Sequence, residues 1–155
     1  MTIQIGDALP DLTLQANGDQ SIHLPDLAGR KLVLYFYPKD NTSGCTLEGQ
    51  NFRDAKAEFD AADCRILGVS RDSVRKHENF IAKYDFNFAL LADTDEALCL
   101  AFDVLREKSM YGKKYIGVDR STFLFDSQGR LVQEWRGVKV SGHVDAVLAA
   151  ARAAA

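Results

Sequence analysis

Residues 37–50 read YPKDNTSGCTLEGQ and follow directly on the most apolar run of the chain, KLVLYFY. A cysteine buried only for packing needs no approach made of Pro, Asp, Asn, Thr, Ser and Gly. If the apolar run is a strand ending at Tyr37 and a helix begins near Thr46, Cys45 lies in or just before the first helical turn. The unpaired N–H groups there, with the helix dipole, favour an anion, and a thiolate is the reactive form of cysteine. Pro38 holds the backbone as it leaves the strand and offers no N–H of its own. Thr42, three residues before Cys45, can reach the sulfur or a substrate oxygen with its hydroxyl. Gly44 lets a small molecule or backbone come close. The chemistry these residues suit is that of a thiol nucleophile. It is not dithiol exchange, because the C-x-x-C partners of Cys45 would be Thr42 and Glu48.

A thiol used in this way has to be held by rigid elements, and the pattern predicts them. KLVLYFY (31–37) is apolar on both faces and belongs in the middle of a sheet. Asn17-Gly18 turns a hairpin between two short strands. TLEGQNFRDAKAEFDAA (46–62) places Leu47, Phe52, Ala55 and Phe59 near one helical face. CRILGVS (64–70) is a second buried strand, and Ser73 opens a helix to about Tyr84 with Val74, Ile81 and Tyr84 aligned. FALLA (88–92) is a third strand, followed by a helix capped by Asp93 or Thr94. STFLFDSQGRLVQEWRG (121–137) is a hairpin turning at Ser127-Gln128-Gly129, and a last helix begins near Ser141. Alternating βαβ units followed by a late hairpin predict an α/β architecture with a mixed central sheet flanked by helices and an N-terminal β-hairpin extension. The thioredoxin fold fits that order.

Composition narrows the setting. A chain of 155 residues, 46% hydrophobic, is expected to form one domain, residues 1–155. The net charge of −3 is ordinary, and Lys and Arg are spread along the chain, so nucleic acid is not an expected partner. The densest basic stretch, Arg106 to Arg120, has five cations and two anions and reads as a solvated loop. The longest apolar run is six residues, far short of a bilayer span, and the N-terminus lacks the pattern of a signal peptide. The expected location is the cytoplasm, with no membrane partner. Three cysteines at spacings of 19 and 35 make neither a disulfide framework nor a zinc site, and three scattered histidines give no metal set. No cofactor is expected.

The stretch YPKDNTSGCTLE contains Pro38-x-x-x-Thr42-x-x-Cys45, which resembles the peroxidatic motif of the peroxiredoxins, and in particular their bacterioferritin comigratory protein, or Q, subfamily. The likeness extends through GDALPDLTLQ, ILGVSRDSVRKHENF, LLADTDEALCLAFDV, EKSMYGKKYIGVDRSTFLFD and GRLVQEWRGVKVSGHVDAVL. It implies a thiol peroxidase on a thioredoxin-like fold, reducing hydrogen peroxide and organic hydroperoxides. By the same resemblance Cys45 is the peroxidatic nucleophile, Thr42 hydrogen-bonds the attacked peroxide and Pro38 shields the thiolate. Arg120, which on its own reads as an exposed loop cation, becomes the arginine beside the sulfur. Glu48, one turn into the helix, can orient such an arginine or cap the helix.

The chain departs from the subfamily in one respect. The resolving cysteine that members often carry would fall on Gln50 or on Ile81. Cys64 lies beyond the far end of the predicted helix, roughly 25–30 Å from Cys45 at 1.5 Å per residue, and a disulfide needs Cα atoms within about 7 Å. Cys99, beside Leu98 and near Phe102, reads as core. The expected cycle therefore uses one cysteine and an external thiol reductant such as thioredoxin or glutaredoxin with glutathione, in a monomer or weak dimer. Two other readings stay open on the residues alone: a peroxide sensor using the same Cys45, and a non-enzymatic thioredoxin-like interaction or holdase module.

Overall fold

The computed structural model describes residues 2–155. In chain order the elements are β1 (Thr13–Ala16), β2 (Gln20–His23), a 3-10 turn (Leu24–Leu27), β3 (Lys31–Phe36), α1 (Ser43–Ala61), β4 (Cys64–Ser70), α2 (Val74–Tyr84), β5 (Ala89–Ala92), α3 (Ala97–Ala101), β6 (Leu105–Met110), β7 (Lys113–Val118), β8 (Ser121–Phe125), β9 (Leu131–Trp135) and α4 (His143–Ala153). The sheet order is β2-β1-β5-β4-β3-β8-β9, with β3 parallel to β4 and antiparallel to β8. This is the expected mixed sheet, with β3 central and buried along its whole length.

The period of two along β3 divides the core. Val33, Tyr35 and Tyr37 join Phe52 and Phe59 of α1, Phe80 of α2 and Val144, Val147 and Leu148 of α4. Leu32, Leu34 and Phe36 face the other way, onto Leu24, Leu27, Leu98, Phe102 and Phe123.

The basic stretch read as a loop is instead a hairpin: β6 and β7 pair antiparallel from Leu105↔Val118 to Met110↔Lys113 and form a separate two-stranded sheet. Its Lys-rich strands lack clean apolar alternation, because only Gly117 and Val118 are buried. α3 starts at Ala97 with Glu96 in the N-cap position, rather than Asp93 or Thr94. Asp93 nevertheless serves it from a distance, accepting from Leu98 N–H at 3.0 Å and Cys99 N–H at 2.7 Å. On α2, Ser73 accepts from Lys76 N–H as an N-cap should. The fully buried residues of α2 are His77 and Phe80, while Val74, Ile81 and Tyr84 are half-buried beside them.

His77 is the key to how α2 is attached. Its Nε2 lies 2.8 Å from the Leu91 carbonyl, which can only accept, so Nε2 carries a proton. Its Nδ1 lies 2.7 Å from Asp40 Oδ2, and a proton must sit between them, because two lone pairs at that distance would repel. Asp40 is also bonded by the Tyr37 hydroxyl at 2.5 Å, and its own N–H donates to Asp72 Oδ2 at 2.8 Å. Replacing His77 by alanine should leave the Asp40 carboxylate buried and short of a partner. The expected loss of stability is about 3–5 kcal/mol, read as a fall in the urea midpoint at unchanged slope.

Candidate active site

Strand register brings the site together. Phe36 of β3 pairs with Ser121 of β8, so Arg120, the residue before β8, lies beside the chain as it leaves β3 through Tyr37 and Pro38. Two bonds fix that corner: Val138 N–H donates to the Arg120 carbonyl at 3.0 Å and Gly137 N–H to the side-chain Asp119 Oδ2 at 3.3 Å. On the other side, Asn41 takes a left-handed φ of 60° and turns the chain into α1.

α1 starts at Ser43, three residues before the predicted Thr46, with Thr42 in the N-cap position. Ser and Gly are weak helix formers, which hid the first turn, but the Thr cap in extended conformation sets the start. Cys45 is therefore the third residue of the helix, 2% exposed. Cys45 and Glu48, three apart, fall on the same buried face. Leu47, expected on that face, is 49% exposed.

Arg120 reaches both. Its Nη2 lies 3.4 Å from Cys45 Sγ and its Nη1 donates to Glu48 Oε1 at 2.6 Å. Gly44 is what permits the approach, since a Cβ there would stand 3.1 Å from Arg120 Nη2. The open space expected at Gly44 is thus used by the arginine. Glu48 is fully buried, and among the described residues its Oε2 has no hydrogen-bond partner. Burial pushes its carboxyl up to about 7, although the charge and hydrogen bond of Arg120 pull the other way. Glu48, which the sequence left between orienting an arginine and capping the helix, holds Arg120; its Cys-x-x-Glu spacing was the available signal.

The Thr42 hydroxyl donates to the Lys39 carbonyl at 2.8 Å rather than capping the helix. This commits its proton, so toward any further partner its oxygen acts as an acceptor. Pro38 is half-buried and borders a cavity of about 390 Å3 shared with Met110, Tyr115 and Val118 of the β6–β7 hairpin. The other cysteines are remote from this chemistry. Cys64 opens β4, paired with Lys31 at the far end of β3, and burial pushes its thiol up to about 12. Cys99 is fully buried in the opposite half of the core, and burial together with Asp93 raises its thiol further still.

The sequence matches the AhpC/TSA family over residues 5–134. The chain belongs to that family. It is 55% identical to peroxiredoxin Bcp of Xanthomonas campestris over 97% of this chain and 94% of the relative, and 49% identical to peroxiredoxin Bcp of Bacillus subtilis over 93% and 92%. Among solved structures, peroxiredoxin Q of X. campestris superposes with a TM-score of 0.88 at 57% identity, covering 92% of this chain and 90% of the other. A Xylella fastidiosa PrxQ cysteine mutant superposes with a TM-score of 0.93 at 44% identity, covering 99% and 98%. The fold is thus the thioredoxin-like fold of the peroxiredoxins, and the activity is that of a thiol-dependent peroxidase. No helix among the described residues is long and apolar enough to cross a membrane.

The raised carboxyl of Glu48 gives a pH signature. Between about 4.5 and 7 the folded state holds a proton that the unfolded chain has lost, so the Glu48 contribution to stability falls as pH rises through that window. His143 works oppositely: burial, then the charge of Arg120, lowers it to about 4, and its contribution is lost as pH falls from 6.5. The difference between wild type and Glu48→Gln cancels the His143 part. Relative to the variant, the wild type should lose stability between pH 5 and 8, by up to about 3 kcal/mol. Urea titrations at both pH values check this, and a constant difference would contradict it.

Proposed function

We propose that Cys45 is the peroxidatic nucleophile, working with Thr42, Arg120 and Pro38 in a one-cysteine cycle. The observation that carries this reading is the single guanidinium that touches Cys45 Sγ while Glu48 holds its other nitrogen. A fixed cation beside the sulfur favours the thiolate and stabilises charge moving onto the leaving oxygen. The Cys45 thiolate attacks the terminal peroxide oxygen, an S–O bond forms and the O–O bond breaks. The departing alkoxide or hydroxide takes up a proton and leaves as alcohol or water. Thr42, its own proton committed to Lys39, accepts the hydrogen bond of the bound peroxide, and Pro38 keeps water from the sulfur.

The sulfenic acid is then reduced from outside. A first thiol displaces water and forms a mixed disulfide, and a second thiol releases Cys45. Solved structures of the X. campestris relative include serine mutants of two of its cysteines. Those two cysteines are 36 residues apart; taking the earlier as the counterpart of Cys45, the same spacing leads here to Ile81, which supports the absence of a resolving partner on α2. The substrates are hydrogen peroxide and organic hydroperoxides; one X. campestris structure is described by its alkyl peroxide reduction activity. Thioredoxin or glutaredoxin with glutathione is the reductant in this reading. One domain spanning 1–155, a cytoplasmic setting and a monomer or weak dimer complete the proposal. The sensor reading uses the same Cys45 and is separated by steady turnover with a small thiol.

Cys45→Ser should abolish peroxide turnover, while Cys64→Ser and Cys99→Ser keep most of it. Arg120→Ala should slow peroxide attack at least about tenfold, some 1.4 kcal/mol of barrier, with only partial rescue by lysine. One equivalent of peroxide without reductant should leave the chain heavier by about 16 or 32 mass units, for one or two oxygens, with no intrachain disulfide. Installing cysteine at Gln50 or Ile81 should divert the product to a disulfide about two mass units lighter than the reduced chain. A clean disulfide between Cys45 and Cys64 or Cys99 in the wild type would overturn the one-cysteine cycle.

A further inference from the structure

On the α2 side of the loop that delivers Cys45 lies a cavity of about 280 Å3, with Lys39, Asn41, Asp72, Lys76, Phe80 and Lys83 among its walls. The chain as a whole carries a net charge of −3, yet this cavity gathers three ammonium groups. Lys76, Phe80 and Lys83 follow one face of α2 at helical spacing. Two carboxylates, Asp40 and Asp72, line it as well, and both are largely spoken for. Asp40 is held by Tyr37 and His77, and Asp72 Oδ2 by Asp40 N–H and the Ser70 hydroxyl. Asp72 Oδ1 is left 3.9 Å from Lys76 Nζ, and Lys83 Nζ meets the neutral Asn41 Oδ1 at 3.3 Å.

We propose that this cavity binds the reducing thiol, and that the thiol is a small anionic peptide carrying two carboxylates and one ammonium group. The inference rests on the one-cysteine reading above. The lysines take the carboxylates, Asp72 Oδ1 takes the ammonium, and Phe80 gives an apolar floor to the middle of the ligand. A concave site near the lower end of the usual size range suits a peptide-sized molecule better than the broad face of a protein. Asn41 on its wall is four residues from Cys45, so at most about 14 Å of chain separates them. Cys45 is 2% exposed, and the ligand sulfur meets it when the first turn of α1 opens, a fraying that helix ends allow at small cost. There the ligand thiol attacks the sulfenic sulfur, an S–S bond forms and the hydroxyl leaves as water with the thiol proton. A second molecule of the thiol attacks the ligand sulfur, freeing Cys45 and leaving as the ligand disulfide.

The test compares glutathione, its glycine ethyl ester and 2-mercaptoethanol as reductants of wild type, Lys76→Glu and Lys83→Glu, with a thioredoxin-type dithiol protein as a fourth arm. Folding is checked by circular dichroism, and peroxide attack is measured separately without thiol. Wild type should use glutathione more efficiently than the ester by about tenfold in kcat/KM. Each variant should lose most of that preference, with 2-mercaptoethanol turnover and peroxide attack unchanged. Equal use of glutathione and ester by wild type, or an equal loss for all three thiols in the variants, would overturn the proposal. So would a loss confined to a thioredoxin-type dithiol protein, which would assign the lysines to an acidic protein partner. No peroxide consumption with any thiol, or an intrachain disulfide, would instead defeat the one-cysteine reading itself.

Discussion

The geometry around Cys45 depends on one guanidinium held between its sulfur and a buried carboxylate. Arg120 cannot choose other partners, because one nitrogen is fixed by Glu48 and the other lies on Cys45. The planar fork matters here: it addresses two acceptors at once from a rigid frame, which an ammonium on a flexible stem does not. Much of the surrounding structure serves this geometry. The β3–β8 register sets where Arg120 starts, the return of the chain after β9 clamps its backbone, and Gly44 leaves room for its tip.

A second fixed point holds the loop between β3 and α1. Its Asp40 is tied to α2 through His77 and to the end of β3 through Tyr37, so a helix and a strand share one carboxylate. Asn41 is fastened to the same helix by the Tyr84 hydroxyl at 3.0 Å, and the carbonyl of Tyr84 accepts from Arg53 of α1 at 2.7 Å. Around these polar ties the rings of Phe80, Tyr84, Phe86 and Phe88 pack edge to face and stacked. Gly49, directly after Glu48, gives Phe86 its place, since a Cβ would come within 2.5 Å of that ring. The loop is thus positioned from below by apolar packing and from the side by hydrogen bonds.

What the sequence revealed and what it hid follow from the range of the interactions. β3 was legible because a strand covered on both sides of the sheet must be apolar on both faces, and the start of α2 because Ser73 is a local cap. Cys45, Thr42 and Pro38 were legible because they lie within eight residues of one another. Arg120 was visible only through resemblance, since 75 residues separate it from Cys45 and only strand register joins them. The partnership of Asp40 with His77, 37 residues apart, had no local signal at all. The β6–β7 hairpin was missed for a different reason. With few buried residues and many lysines, its strands are held by pairing with each other, and periodicity reports burial rather than pairing.

Glu48 shows which requirement prevails where stability and geometry conflict. A fully buried carboxylate with one unpartnered oxygen is a poor choice for stability alone, and well-packed apolar residues in place of such a pair are often neutral or stabilising by about 1–4 kcal/mol. An apolar residue at position 48 would remove that burden but leave Arg120 Nη1 without an acceptor. The guanidinium would then turn toward solvent, from which its side chain is now largely withdrawn. Burial raises the Glu48 carboxyl to about 7 against the pull of Arg120, while the hydrogen bond to Nη1 is kept. The unpartnered oxygen is therefore the mark of a site in which the orientation of one arginine outweighs a few kcal/mol of folding free energy.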